Sequence, residues 1–209
     1  MLSGLRKTAS RVRWNVVWDT YDVFVREVRD GDDVFNAPDG YSFHFGTRDD
    51  VLGCDVHHTE LDATDRAHGA ERLGLEHRVV VARFDGTPVF TMWVNPRNLN
   101  VPHYVKRQLH PHQVFIYKAF TSPEHRGRKL YQAGMRFVLA DLAVRGLTEV
   151  VGYAARAKKI SRAGLGRLDF RTVGSFKGYG YGRPTLVRES KDLVRAFPIK
   201  VARTDLGLT

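Results

Sequence analysis

Residues Val114–Thr121 read VFIYKAFT and run directly into SPEHRGRKLY, Ser122–Tyr131. Eight residues rich in β-branched and aromatic side chains predict a strand. A turn containing Pro and Gly follows, then a helix to about Arg145, with Leu130, Gly134, Phe137, Val138 and Leu142 on one face and Gly146 placed to end it. A strand that feeds a helix through a tight basic turn leaves backbone N–H groups and the positive helix end beside Arg126, Arg128 and Lys129. That arrangement suits a pyrophosphate. By itself Arg-Gly-Arg-Lys is more often a solvated turn, so its weight comes from the elements around it.

Downstream, Thr148–Ala155 reads as a strand, Lys158–Leu168 as a helix weakened by Gly164 and Gly166, and Phe170–Val173 as the next strand. Tyr179–Pro184 reads as a turn before a last strand near Leu186 and Val187. Upstream, Arg78–Phe84 and Pro88–Val94 flank Asp85-Gly86, the pair favoured in a two-residue hairpin turn. Asn95–Pro111 reads as a long polar connection. Tyr41, Phe43 and Phe45 alternate with polar residues as a short strand, followed by a helix start at Thr47–Asp50 and a helical region to Leu73. Asp30–Gly40 reads as a loop. Trp14, Val17, Trp18, Tyr21, Phe24 and Val28 recur at spacings of three and four, which predicts a helix over Ser10–Val28. Alternation at Val12, Trp14, Val16 and Trp18 would equally suit a strand. The expected organisation is a helical extension over 1–40, a mixed α/β domain over 41–190 and a tail over 191–209.

The chain has 209 residues, 43% hydrophobic and 27% charged, the profile of one ordinary globular domain. No apolar run reaches the roughly 18 residues of a membrane span. The basic N-terminus has no uninterrupted apolar stretch after it and so lacks a secretory signal core. The single cysteine, Cys54, excludes an internal disulfide and any multi-cysteine zinc site. These features predict a cytoplasmic protein. The net charge is +10, and its distribution is uneven: Arg97–Arg171 holds fifteen basic and four acidic residues, net +11, whereas the rest holds eighteen and nineteen. An anionic partner at the middle of the chain is expected, whether nucleic acid, a phosphorylated cofactor or an acidic carrier protein.

At these residues the sequence resembles the GNAT superfamily of CoA-dependent N-acyltransferases. Thr121, Pro123, Arg126 and Gly127 match the family's strand end and Pro-x-x-Arg-Gly turn, Leu130 the apolar position after it, and Ser161 a small residue on the second helix. Leu168 and Phe170 bracket the usual Gly-Phe, and the resemblance extends over about residues 41–188. It implies a mostly antiparallel twisted sheet flanked by helices, with a strand-helix-strand-helix-strand core in the second half. Where the family has two further turn glycines this chain has Lys129 and Tyr131, and Asp169 replaces the Gly before Phe170. Tyr131 carries a side chain that could obstruct the phosphates. Leu165 stands where many members carry a thiolate-protonating Tyr, so that acid is missing or supplied elsewhere.

The resemblance implies an enzyme that moves an acetyl or longer acyl group from acyl-CoA to an amine, on a small molecule or a protein, by direct attack. Arg126, Gly127, Arg128, Lys129, Leu130 and Tyr131 would hold the phosphates. Ala119, Phe120 and Thr121 would align the pantetheine between splayed strands, with a backbone N–H near Phe120 polarising the carbonyl. Lys158, at a position where an Asn often contacts the cofactor, and Ser161 complete the expected cofactor set. Tyr117 and Lys118 fall where many relatives place an acidic residue. Tyr117 is the preferred participant in amine deprotonation; Tyr153 is the second candidate and a candidate acid.

Other readings stay open. Loss of the turn glycines with a basic segment suits an acyl-carrier-protein donor, as in acyl-homoserine lactone synthases. Arg156, Lys158, Lys159, Arg162 and Arg167 near one helix suit a non-catalytic nucleic-acid-binding module, although no nucleic-acid motif is present. An inactive relative is a further alternative on Leu165 and Asp169. Cys54, His57 and His58 share a helical face without a fourth ligand, so no metal is expected. His103, His110 and His112 read as a solvated loop, with a lining of the acceptor site as the alternative, and Gly178-x-Gly180-x-Gly182 reads as a turn or hairpin. Trp14, Trp18, Tyr21 and Phe24 are expected to pack on the core, with an acyl-chain cover or a homodimer face as alternatives.

Overall fold

The strand-helix-strand-helix-strand order is present in the computed structural model, which describes residues 16–53, 63–181 and 183–202. Among them the chain forms β1 (Val16–Glu27), β2 (Tyr41–Phe45), α1 (Arg48–Gly53), α2 (Ala63–Gly74), β3 (Arg78–Phe84), β4 (Thr87–Asn95), β5 (Asn98–Val101) and β6 (Val105–Gln108). These are followed by β7 (Gln113–Thr121), α3 (Leu130–Val144), β8 (Glu149–Ala155), α4 (Lys159–Gly166), β9 (Arg171–Tyr181), β10 (Arg183–Glu189) and α5 (Lys191–Ala196). Eight strands form one sheet in the order β10-β9-β1-β8-β7-β4-β3-β2, with β5 and β6 as a separate hairpin. Every pairing in the large sheet is antiparallel except that of β7 with β8.

Both faces of this sheet are covered. Val79, Val81, Trp93, Phe115, Tyr117 and Val151 pack on one side with the β5–β6 hairpin and α5, while Val80, Phe90, Met92, Ile116 and Val150 pack on the other with α3 and Leu165 of α4. This double covering explains the largest correction to the sequence reading. The expected N-terminal helix is β1, a strand between β8 and β9. Val23 and Val25 enter one core and Phe24 the other, so apolar residues fall on consecutive positions and imitate a helical stripe. Tyr41, the expected domain start, is the first residue of β2, which belongs to the same sheet as β1.

Three smaller points follow. The polar connection over 95–111 contains β5 and β6, whose Leu99, Val101, Tyr104 and Val105 are buried against the sheet. Of the turn or hairpin expected at Gly178-x-Gly180-x-Gly182 it is the hairpin that forms: Gly178 and Gly180 are strand residues of β9, which pairs antiparallel with β10, and Gly178 lies opposite Asp19 of β1, where a Cβ would run into the Tyr104 ring, so the missing side chain seats the β5–β6 hairpin. The expected tail carries α5, capped by the Ser190 hydroxyl accepting from Leu193 N–H at 3.2 Å, with Leu193 and Phe197 fully buried. Arg107 fastens this segment by donating to Glu189 at 2.8 Å and to the carbonyls of Phe197 and Pro198 at 3.0 and 3.1 Å.

Candidate functional site

The parallel strands β7 and β8 pair only at Gln113↔Glu149, Val114↔Val150 and Phe115↔Val151. Beyond Phe115 and Val151 they separate, and each continues to pair only with its outer neighbour: β7 with β4, β8 with β1. The result is a wedge open toward the C-terminal ends of both strands. Leucine and isoleucine close its apex on the α4 side, where a Cβ on Gly152 would lie 3.4 Å from Ile116 and 3.7 Å from Leu165. On the β7 edge the ladder to β4 shifts from Trp93↔Tyr117 to Thr91↔Phe120, so Lys118 and Ala119 both face Met92. This is a β-bulge, with Lys118 left-handed at φ 46°.

The turn after β7 leads into an uncapped helix end. Arg126 donates to the Thr121 carbonyl at 3.2 Å, Gly127 takes φ 79°, and Lys129, the residue before α3, takes φ 60° without capping the helix by its side chain. The helix opens with a bond from Ala133 N–H to the Lys129 carbonyl at 3.0 Å. The amides of the preceding first turn, Leu130, Tyr131 and Gln132, therefore have no intrahelical acceptor. Arg126, Arg128 and Lys129 are exposed around them. Amides without an intrahelical acceptor, the helix dipole and three exposed cations make this end of α3 electropositive. Of the three positions where glycine is replaced, Lys129 and Asp169 keep the left-handed backbone that glycine favours, at φ 60° and 59°, whereas Tyr131 does not. Asp169 is held by Arg29 at 2.9 Å.

The expected obstruction by Tyr131 does not arise from its ring, which packs against Gly164 of α4, 3.6 Å from where a Cβ would stand. Burial pushes its hydroxyl pKa up. Arg126–Tyr131 and Ala119–Thr121 thus gather at the open end of the wedge. Lys158 and Ser161 lie exposed at the start of the neighbouring α4, which Tyr131 joins to α3.

Tyr117 and Tyr153 lie on the sheet face opposite α3 and α4, separated by Phe115: its ring stacks on Tyr117 at 5.6 Å and tilts against Tyr153 at 5.8 Å. The Tyr117 hydroxyl reaches across β4 to His77, just before β3, with 2.6 Å to Nδ1. It is turned away from β8. His77 is buried, and that burial together with the charges of Arg72 and Arg97 pulls its pKa down to about 4, leaving a neutral imidazole. Nothing local in the sequence marked His77, which reads there as a linker between helix and hairpin. Tyr153, half-buried, sits at the wedge beside Tyr21, ring centres 5.9 Å apart. Tyr21 in turn hydrogen-bonds Tyr104, whose hydroxyl donates to Asp19 at 3.1 Å.

The remaining expectations distribute as follows. Cys54, His57, His58 and Trp14 lie outside the described residues, as does the Trp18 side chain; Tyr21 and Phe24 are packed in the two cores. No cluster that could hold a metal ion occurs among the described residues. His103 and the stacked pair His110 and His112 are exposed. Of the basic residues near α4, Arg156 and Arg162 are committed to buried Asp22 at 2.5 and 3.3 Å. No helix among the described residues is long and apolar enough to cross a membrane.

No family model and no curated protein matches the chain. Solved structures do match in shape. A GCN5-related N-acetyltransferase from Sphaerobacter thermophilus superposes with a TM-score of 0.55 at 13% identity, over 89% of this chain and 58% of that one. A glucosamine N-acetyltransferase region of a fungal multi-domain β-N-acetylglucosaminidase gives 0.54 at 13%, over 84% and 22%. A functionally unknown conserved protein from Staphylococcus epidermidis gives 0.52 at 10%, over 80% and 63%. The chain thus spans only part of each of these proteins. The mostly antiparallel sheet, its splayed parallel pair and the basic turn between β7 and α3 constitute the GNAT fold.

Proposed function

We propose that the chain is an acyltransferase that moves an acetyl or longer acyl group from acyl-CoA to an amine by direct attack. The observation that supports this most is the conjunction of the β7–β8 wedge with the uncapped, cationic start of α3 at its open end. In this reading the amides of Leu130 and Tyr131 and the side chains of Arg126, Arg128 and Lys129 neutralise the donor's phosphates, with Lys158 and Ser161 at the adjacent helix. Ala119, Phe120 and Thr121 line the arm that reaches into the wedge, and the bulge amide near Phe120 polarises the thioester carbonyl. Such preoriented donors commonly contribute the largest share of acyl-transfer catalysis. The amine nitrogen bonds to the carbonyl carbon as the C–S bond breaks. Tyr153, beside the wedge, takes the amine proton and returns one to sulfur, while Tyr117, expected for the first of these steps, has its hydroxyl tied to buried His77 on the side away from β8; Leu165 gives α4 no hydroxyl.

A carrier-protein donor is the second reading. Arg126, Arg128, Lys129, Lys158 and Lys159 are all exposed and none makes an ion pair with the described residues, a surface that an acidic protein would complement. Calorimetric titration with CoA, acetyl-CoA and a long-chain acyl-CoA separates the two. Micromolar affinity that disappears in Arg126→Ala and Gly127→Glu is the expected result, with the preferred donor reporting acyl length. Absence of affinity for every CoA species rules out the first reading and leaves the carrier protein.

A further inference from the structure

β1 carries two aspartates on opposite faces of the sheet, and their surroundings differ. Asp22, on the side of α4, is buried and answered by Arg156 at 2.5 Å and Arg162 at 3.3 Å. Asp19, on the side of the β5–β6 hairpin, is exposed; it accepts from the Tyr104 hydroxyl at 3.1 Å and makes no ion pair with the described residues. From Asp19 a row of rings leads to the wedge. Tyr104 meets Tyr21 edge-on with centroids 5.0 Å apart, Tyr21 tilts against Tyr153 at 5.9 Å, and Tyr153 tilts against Phe115 at 5.8 Å. Phe115 is the last β7 residue paired with β8, so the row ends where the wedge begins. Tyr21 and Tyr153 are half-buried, which leaves part of the row in solvent, and Phe176 stacks behind Tyr21 at 5.0 Å. All of these rings lie on the face opposite α3, whose first turn is assigned to the donor's phosphates.

We propose that this row binds the acceptor and that the acceptor is a diamine: one nitrogen enters the wedge, and the second, as an ammonium, is held by Asp19. The proposal rests on the acyl-donor reading above. In the sheet order β1-β8-β7, Asp19 and the thioester site near Phe120 are two strands apart, roughly 10 Å at the usual spacing. A nitrogen at Asp19 is therefore not the one acylated, and a short carbon chain separates it from the one that is. That chain lies on Tyr21 and Tyr153, which offer apolar surface and the electrostatic attraction of aromatic rings for a cation. Asp19 suits the far end. With one hydrogen bond from Tyr104, its carboxylate keeps further lone pairs for an ammonium, and such charge-assisted bonds are the stronger kind. It also sorts acceptors, because a carboxylate in place of the second amine meets like charge. The near nitrogen, unprotonated, bonds to the carbonyl carbon as the C–S bond breaks, and its proton passes by way of Tyr153 to the departing thiolate. The products are a monoacyl diamine, its far ammonium unchanged, and a free thiol.

The test compares cadaverine, pentylamine and δ-aminovalerate, carbon chains of one length ending in ammonium, methyl and carboxylate, as acceptors for the full chain. Thiol release from acetyl-CoA gives kcat and KM for each, and calorimetry gives acetyl-CoA affinity in parallel. Cadaverine is expected to exceed pentylamine by about tenfold in kcat/KM, mostly through KM, with δ-aminovalerate lowest. In Asp19→Asn the ratio of cadaverine to pentylamine falls to about one, while acetyl-CoA affinity stays within about twofold because Asp19 makes none of the assigned phosphate contacts. The ratio is the readout, so a general loss of rate does not imitate the result. Acetyl-CoA binding with equal use of the three acceptors, with use of none, or with a ranking that survives Asp19→Asn overturns this proposal alone. No acetyl-CoA binding overturns the donor reading, and this proposal with it.

Discussion

His77 offers a quantitative test of the buried pair behind β7. Its pKa falls from 6.5 to about 4 because burial, Arg72 and Arg97 all oppose a second proton. The unfolded chain, with an ordinary imidazole, binds a proton below pH 6.5 that the folded chain refuses, so the neutral state's contribution is complete above pH 6.5 and is lost as pH falls. Linkage over this interval gives a loss of about 2 kcal/mol by pH 5 and about 3 kcal/mol by pH 4. His77→Asn supplies the reference, because the amide can still accept from the Tyr117 hydroxyl but does not titrate. Urea unfolding of both proteins at pH 7.5 and pH 5 cancels every other titrating group. The stability advantage of wild type over the variant should shrink by about 2 kcal/mol between those two conditions. An advantage that stays constant refutes the argument, since it would mean that His77 charges as easily in the folded chain as in the unfolded one.

Two further predictions concern backbone and packing. Lys129→Gly should be more stable than Lys129→Ala by about 1 kcal/mol, the reverse of helix propensity, because glycine alone relieves the left-handed residue before α3; equal melting temperatures contradict that conformation. Gly134→Ala should destabilise by about 1 to 3 kcal/mol in chemical denaturation, because the new methyl would lie 2.5 Å from the Phe90 ring where α3 rests on β4, and a stabilised variant disproves so close an approach.

The part of the fold legible in the sequence was the part where one physical signal dominates. Asp85-Gly86 between two β-rich runs gave the β3–β4 hairpin, and strand, basic turn and helix gave β7 to α3. β1 was misread because both of its faces are buried, which removes the alternation that identifies a half-buried strand. The β5–β6 hairpin was missed because its buried Asn100 and Arg107 look like surface residues until their partners are known; Arg107 is answered by Glu189 and two carbonyls far along the chain. The turn residues of the candidate site could be located from Arg126 and Gly127, whereas His77 could not. A histidine's burial and its hydroxyl partner are products of tertiary packing, and Tyr117 is separated from it by forty positions.

The place of β1 in the sheet has a consequence for biosynthesis. Tyr21 pairs with Ala155 on one side and Phe176 on the other, and among the described strands β1 alone joins β9–β10 to the rest of the sheet. A strand made early therefore has no partners until β8 and β9 leave the ribosome, a wait of order ten seconds at roughly 5–20 residues per second. During that interval its Val23, Phe24 and Val25 are an unpaired, apolar, aggregation-prone edge. Docking of β1 joins the two halves of the sheet across the long sequence separations that slow folding, so it is the event that completes β8's outer side and with it the wall of the wedge. A nascent chain arrested before β8 should need chaperone protection that the finished protein does not.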